Sequence, residues 1–266
     1  MDMNGVTIED LGRKGLKLYQ PKDGFRYGTD TVLLSWFAAS FLRTSSKAAK
    51  CPQRVLELGA GVGTASLLVQ GRYEGFILSD AVEIEPVYAD VLTKNIELNN
   101  MGNKMRGFNC DIRDLPADVK SIQYDVVMFN PPFFSQGSGP KTSDQGDGKL
   151  GARFEENGGV DDFVRVAASR VLQSKGHIVL IMHGKRLNDV LMAFAHHGVK
   201  PTCIMGVHPF EDREAEMVLV AGKKGASGTD TKVMPPLILN RRTEDGIIMT
   251  DKLRRIYEEA HTDCFI

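Results

Sequence analysis

The residues best suited to chemistry stand in two short runs. One is Asn130-Pro131-Pro132-Phe133-Phe134, which follows the apolar stretch VVMF (126–129). Asparagine offers an amide oxygen as an acceptor. Proline fixes its own φ and biases the residue before it towards an extended shape, so Pro132 holds the Pro131 carbonyl in place. One proline would end a strand, so an amide, two residues without N–H groups and two aromatic rings are more than that task needs. The other run is VLELGAGVGTASLL (55–68), in which Glu57 closes an apolar stretch and Gly59, Gly61 and Gly63 follow. Glycines there let backbone approach a ligand closely, and the helix opening after them presents free N–H groups. A dinucleotide site would read Gly-x-Gly-x-x-Gly from Gly59; Thr64 stands at its third glycine, which argues against a nicotinamide dehydrogenase.

Other candidates for chemistry are weaker. His196 and His197 are adjacent, so on a helix they are expected to diverge and not to share a metal, as an i, i+4 pair would. His177, His183, His208 and His261 are scattered singly. Cys51, Cys110, Cys203 and Cys264 form no Cys-x-x-Cys pair and read as reduced thiols. No Gly-x-Ser-x-Gly elbow or Walker loop is present. No metal is expected.

An alternation of strands and helices must position the two runs. Strands are expected at 54–58, 76–85, 105–110, 124–129, 177–182, 202–207 and 215–221. Helices are expected from the glycine loop to about Gln70, from Pro86, at 160–173 and at 186–197. A further helix would be capped by Thr29 and would run to about Phe41, with Val32, Leu33, Trp36 and Phe37 on one face. The pattern implies an α/β fold, a mostly parallel seven-stranded sheet with helices on both faces. The last two strands lie within hairpin reach through PFEDREA, so one of them should run antiparallel. Glycine- and serine-rich stretches at 135–153 and 223–232 read as a loop beside the candidate site and as a linker. Residues 1–50 are then an N-terminal extension, 51–222 the core, and 223–266 a linker, strand and helix completing the same domain.

Composition sets outer bounds. A chain of 266 residues, 42% hydrophobic, suits one large domain. The opening lacks the basic-then-apolar pattern of a signal peptide, and the longest apolar stretch, VLLSWFAASFL, is too short for a bilayer; a cytoplasmic protein without a membrane partner is expected. The net charge of −1 exerts no global pull on nucleic acid. Local clusters at Arg13–Arg26, Lys223–Lys224, Arg241–Arg242 and Arg254–Arg255 suit either phosphate contacts or plain solvated surface.

Glu-Leu-Gly-x-Gly-x-Gly at 57–63 resembles motif I of S-adenosylmethionine-dependent class I methyltransferases, a Rossmann-like fold. There the acidic residue, Glu57 here, faces the cofactor's amino-acid end. VEIEP (82–86) is similar to the family's second-strand ending and places the ribose ligand at Glu83, with Asp80 left as a surface residue. CDIRDL (110–115) places Asp111 at the adenine amino group and leaves Asp114 to cap a short helix. Asn130-Pro131-Pro132-Phe133 resembles motif IV of the enzymes that methylate planar amino or amide nitrogens. The resemblance makes these four residues the catalytic set, has Asn130 also face the cofactor, and gives Phe133 and Phe134 to the substrate. The stretch YQPKDGFRYGTDTVLLSWF (19–37) resembles the N-terminal signature of the bacterial tRNA(Val) adenine-N6 methyltransferase family, matching at Gln20, Gly24, Phe25, Arg26, Asp30, Leu33 and Leu34. ARFEENGGVDDFV and the C-terminal LILNRR resemble the same family. The resemblance implies methyl transfer from S-adenosylmethionine to adenine in RNA, tRNA first, with Phe25, Tyr27 and Thr29 folded near the cofactor. Phe133 departs from the family's usual tyrosine and matches relatives that modify guanine in ribosomal RNA. Guanine therefore stays open, as do a protein glutamine amide and a non-catalytic binding protein.

Overall fold

The computed structural model describes residues 5–22, 26–43, 52–131, 159–228 and 230–258. The chain opens with a hairpin that no apolar pattern announces, β1 (Val6–Asp10) antiparallel to β2 (Lys17–Pro21). Helix α1 (Thr29–Ala39) follows, with Gly28 at its N-cap and no side-chain cap bond. Thr29, expected as the cap, is instead the first helical residue, and its Oγ1 lies 3.0 Å from the Tyr257 hydroxyl. Then come β3 (Gln53–Leu58), α2 (Thr64–Arg72), β4 (Ile77–Glu83), α3 (Pro86–Leu98) and β5 (Met105–Asn109). A 3-10 turn (Ile112–Asp114), α4 (Ala117–Lys120) and β6 (Val126–Phe129) complete the first half. The second half holds α5 (Val160–Arg170), β7 (His177–His183), α6 (Leu187–His196), β8 (Val199–His208) and β9 (Met217–Lys224). After it come β10 (Lys232–Val233), β11 (Leu237–Ile238), a hairpin of β12 (Asn240–Thr243) and β13 (Gly246–Met249), and α7 (Asp251–Glu258).

All seven expected sheet strands are present, in the order β8-β9-β7-β6-β3-β4-β5. Only β9 runs against its neighbours, as the short connection from β8 requires. The two-residue strands β10 and β11 both pair parallel with β8 and bring the sheet to nine.

Period-two alternation sorts the strand residues between two cores. Val55, Val126, Met128, Val179 and Ile181 face α1, α2 and α3, while Leu56, Leu58, Val127, Phe129, Ile178 and Leu180 face α5 and α6. Helix α1 is buried from Val32 through Ala39. Each large side chain there, such as Leu33 or Phe37, contributes about 1.5–3 kcal/mol by leaving water, so α1 is part of the core.

Two asparagines, one on α3 and one at its C-cap, hold the N-terminal hairpin. Asn95 and Asn99 lie one turn apart and act as strand partners for β2. The Tyr19 N–H donates to Asn95 Oδ1 (2.6 Å) and Asn95 Nδ2 donates to the Tyr19 carbonyl (3.0 Å). Lys17 makes the same reciprocal pair with Asn99 (2.8 and 2.7 Å). At the other end of the chain the Ile256 carbonyl on α7 accepts from two buried guanidiniums, Arg13 and Arg72 (2.8 Å for Arg72). Burial, with Arg13 adding repulsion, pulls the Arg72 pKa down to about 9.

Candidate functional site

Strand register lines up the residues singled out above. Leu58 pairs with Phe129 on one side and with Val82 on the other, so Gly59 stands level with Asn130 and with Glu83. Glu83 in turn pairs with Asn109, two residues before Asp111. Neighbouring strands lie about 4.8 Å apart, which puts Asn130 and Glu83 roughly 10 Å from each other across Gly59. This is the carboxyl edge of the sheet, where the chain leaves β3 for β4 on one side and β6 lies on the other. Open α/β sheets bind ligands at such a switch point.

The glycine loop is held tightly. Gly59, Gly61 and Gly63 all have positive φ (68°, 55° and 85°). At Gly63 a Cβ would also meet Leu92 Cδ1 at 2.4 Å, and at Gly59 it would meet the Phe163 ring at 3.2 Å. The Ala60 N–H donates to the Val82 carbonyl (2.9 Å), and Asn95 Nδ2 reaches the Val62 carbonyl (2.9 Å). The Gly61 N–H donates to Glu83 Oε2 (2.7 Å).

Glu83 thus braces the loop as well as facing it. Its Oε1 accepts from the Glu85 N–H (2.8 Å). A carboxylate has about four acceptor positions, so both oxygens keep capacity for hydroxyl donors. Burial raises its pKa against these backbone bonds. Glu57 is also buried, beneath the first turn of α2, where its Oε2 accepts from the Ser66 N–H (2.9 Å) and from the Ser66 hydroxyl. Burial outweighs both bonds and pushes its pKa up to about 7.

Asp111 lies where the third strand releases the chain. It caps the 3-10 turn by accepting from the Arg113 N–H (2.8 Å), and the Arg113 guanidinium engages both its oxygens. That guanidinium holds its carboxyl below the usual range. The cap expected of Asp114 is therefore made by Asp111, because Asp114 sits at the far end of the turn and pairs with Lys120 (2.9 Å).

Asn130 ends β6. Its Nδ2 donates to Asp30 Oδ2 on α1 (2.7 Å), while its Oδ1 is buried and has no hydrogen-bond partner among the described residues. Pro131 is buried behind it. Pro132, Phe133, Phe134 and Phe25 lie outside the described residues. Tyr27 is half-buried, and its N–H donates to Gln20 Oε1 (2.9 Å).

Two further expectations need correcting. Asp80 is no surface residue: it is buried, accepts from Arg106 Nε and Nη2 (2.7 and 2.9 Å) and from the Tyr124 hydroxyl (2.6 Å), and so belongs to the frame. His196 and His197 do not diverge. His197 sits past the last turn of α6, so the rings stack at 4.5 Å and both reach Asp161 Oδ1 (3.2 and 2.9 Å).

Sequence reasoning missed Phe163, whose ring closes over Gly59 and packs on Phe129 at 5.4 Å. It also missed Ser66, whose only signal was its place in the first helical turn after the glycines. A cavity of about 490 Å³ lined by Lys14, Lys17, Tyr73 and Lys104 lies past the carboxyl ends of α2 and α3, at the edge of the sheet away from these residues.

A family model described as the TRM5/TYW2 methyltransferase domain matches residues 24–136. A protein of a Flavobacteriaceae bacterium (strain 3519-10), named tRNA1(Val) (adenine(37)-N6)-methyltransferase, is 30% identical over 121 residues, 46% of this chain and 47% of its own. This chain thus spans about half the length of that relative. A Porphyromonas gingivalis protein of the same name is 25% identical over 219 residues, 79% of this chain and 82% of its own. The resemblance carried by the motifs therefore holds along most of the chain. Among solved structures, a predicted O-methyltransferase from Agrobacterium tumefaciens superposes with a TM-score of 0.61 at 18% identity, covering 85% of this chain and 97% of its own. The Methanocaldococcus jannaschii tRNA m1G37 methyltransferase gives 0.54 at 18% identity, with 84% and 58% covered. The fold is the class I methyltransferase fold.

Proposed function

We propose that this chain is an S-adenosylmethionine-dependent methyltransferase that modifies the exocyclic amino group of adenine in RNA, with tRNA as the RNA. The observation that carries the reading is the Asn130 amide oxygen: buried, without a partner among the described residues, and level with the glycine loop. The residues around it fit the methyl donor. Backbone at Gly59, Gly61 and Gly63 would pass under it in conformations that a side chain disfavours. Glu83 would take the ribose hydroxyls, Glu57 would face the amino-acid end, and Asp111 would accept from the adenine amino group. Bound there, S-adenosylmethionine supplies an electrophilic methyl group, so no strong general base is needed.

The chain's own task is to orient a poor nucleophile. The lone pair of an adenine amino group is delocalised into its ring. Asn130 Oδ1 and the Pro131 carbonyl accept its two hydrogens and favour a nitrogen whose lone pair points at the donor. Holding the reactants in line can supply about 7–11 kcal/mol of the barrier reduction. Phe133 would stack on the base, worth about 1–3 kcal/mol.

Relatives named for adenine 37 of tRNA1(Val) support this substrate. Phe133 in place of the family's tyrosine favours a second reading, guanine in ribosomal RNA. Among the described residues no helix is long and apolar enough to cross a membrane, and we place the protein in the cytoplasm with its RNA. The test is mass spectrometry of nucleosides from total tRNA and rRNA incubated with the protein and a labelled methyl donor. Labelled N6-methyladenosine in tRNA is the expected product. Labelled N2-methylguanosine in rRNA would move the assignment to guanine, and label found only in protein would overturn the RNA reading.

A further inference from the structure

Asp30 stands in the N-terminal signature and in the first turn of α1, and the reaction outlined above gives it no part. Its Oδ2 accepts the 2.7 Å hydrogen bond from Asn130. The amide nitrogen is the donor in this bond and the Asp30 oxygen the acceptor. That settles the place of the other amide atom, the buried oxygen without a partner among the described residues. A buried acceptor left alone is costly, and a free amide would turn over to relieve it. Here the turned amide would set two oxygens against each other, so Asp30 blocks the flip. Asp30 is confined in turn. A Cβ on Gly28 would lie 2.9 Å from its Oδ1, and Gly28 has an ordinary extended backbone, so what this glycine supplies is space.

We propose that Asp30 is a positioning residue for methyl transfer, which locks the Asn130 amide with its nitrogen turned inward and its oxygen offered to the nucleophile. The inference rests on the methyltransferase reading. It also accounts for selectivity towards amino groups: an unlocked amide would present N–H donors to a nitrogen that itself carries hydrogens, and the two would repel. The lock sits on a buried helix, so the acceptor is in place before substrate arrives.

Two readouts test it, one of them without turnover. Asp30→Asn keeps the shape but lets the Asn130 amide sit either way round. We expect kcat to fall at least about tenfold while KM for tRNA and affinity for S-adenosylhomocysteine stay within about threefold. In an Asn130→Ala background the same change should alter kcat by less than about twofold, because the acceptor it acts through is gone. Combining Asp30→Asn with Asn130→Asp restores a locked oxygen with the bond reversed, and should turn over faster than either single variant. Gly28→Ala, which crowds the carboxylate without touching either side chain, should lower kcat in the same direction. An undiminished kcat in Asp30→Asn, or equal losses in both backgrounds, overturns the proposal.

The second readout is the Asn130 side-chain amide in NMR, identified by its loss in Asn130→Ala. One of its N–H protons should exchange with solvent at least about tenfold more slowly in the unaltered protein than in Asp30→Asn, and equal rates overturn the lock. If the unaltered protein methylates no RNA, the functional reading falls and the NMR measurement still decides the lock.

Discussion

Glu57 and Asn130 each keep an unfavourable state in the folded chain, and each can be tested there. Folded Glu57 holds its proton up to about pH 7, against an ordinary 4.5. Between those values the folded state binds more protons than the unfolded one, so stability falls as pH rises through the window, by roughly 3 kcal/mol in all. Below 4.5 both states are protonated and above 7 both are ionised, so the contribution levels off at either end. Urea unfolding of the ligand-free protein at a series of pH values should show this decline, and Glu57→Gln should lack that part of it. An identical slope in both proteins would contradict a buried, protonated Glu57. On the proposed reading, the orphaned oxygen of Asn130 matters mainly when the nucleophile arrives. Asn130→Ala should leave S-adenosylhomocysteine affinity within about tenfold while cutting kcat severely, because the lost contact acts in the transition state. Calorimetry and single-turnover kinetics separate the two, and equal losses would remove Asn130 from the reaction.

At the scale of elements, helix α3 joins three parts. It packs below the sheet, it serves as a partner for β2, and through Asn95 it grips the glycine loop at the Val62 carbonyl. Asn95→Ala would leave the Tyr19 N–H and carbonyl and the Val62 carbonyl without their partner. Buried groups abandoned in this way cost about 1–3 kcal/mol each, less what water recovers, so we expect roughly 2–4 kcal/mol of destabilisation. Urea midpoints measure it, and hydrogen exchange at Tyr19 should quicken more than in the central strands. The longer helices and the seven main sheet strands were legible beforehand because their apolar residues repeat at 3.6 or at 2, whereas β10, two exposed residues at the end of the expected linker, carries no such repeat. The β1–β2 hairpin was not, because its partner on one side is a pair of asparagine side chains and its turn is built from Gly12, Lys14 and Gly15 at positive φ, neither of which leaves a hydrophobic period.

For the molecule as a whole, a net charge of −1 makes any RNA contact a matter of local patches. Arg242 lies over the Phe210 ring at 4.0 Å and pairs with Asp212, whereas its neighbour Arg241 is exposed on β12. The β12–β13 hairpin follows β11, which pairs at the carboxyl end of β8, on the edge of the sheet that holds the site. Arg241→Ala should weaken tRNA binding and lower the slope of log K against log salt by about 1. An unchanged slope would take this hairpin out of the phosphate contacts. Residue order by itself determined the strand sequence, the glycine loop with Glu57 before it, and the Asn-Pro-Pro run at the end of β6, because these depend on local period and on neighbours in the chain. Tertiary structure alone decided that Asp80 is buried with Arg106 and Tyr124, that His196 and His197 converge on Asp161, and that Asp30 meets the Asn130 amide. Those pairs are separated by 26 to 100 residues; strand pairing sets Arg106 opposite Asp80, and the packing of α1, α5 and α6 brings the Asp30 and Asp161 pairs within hydrogen-bond reach.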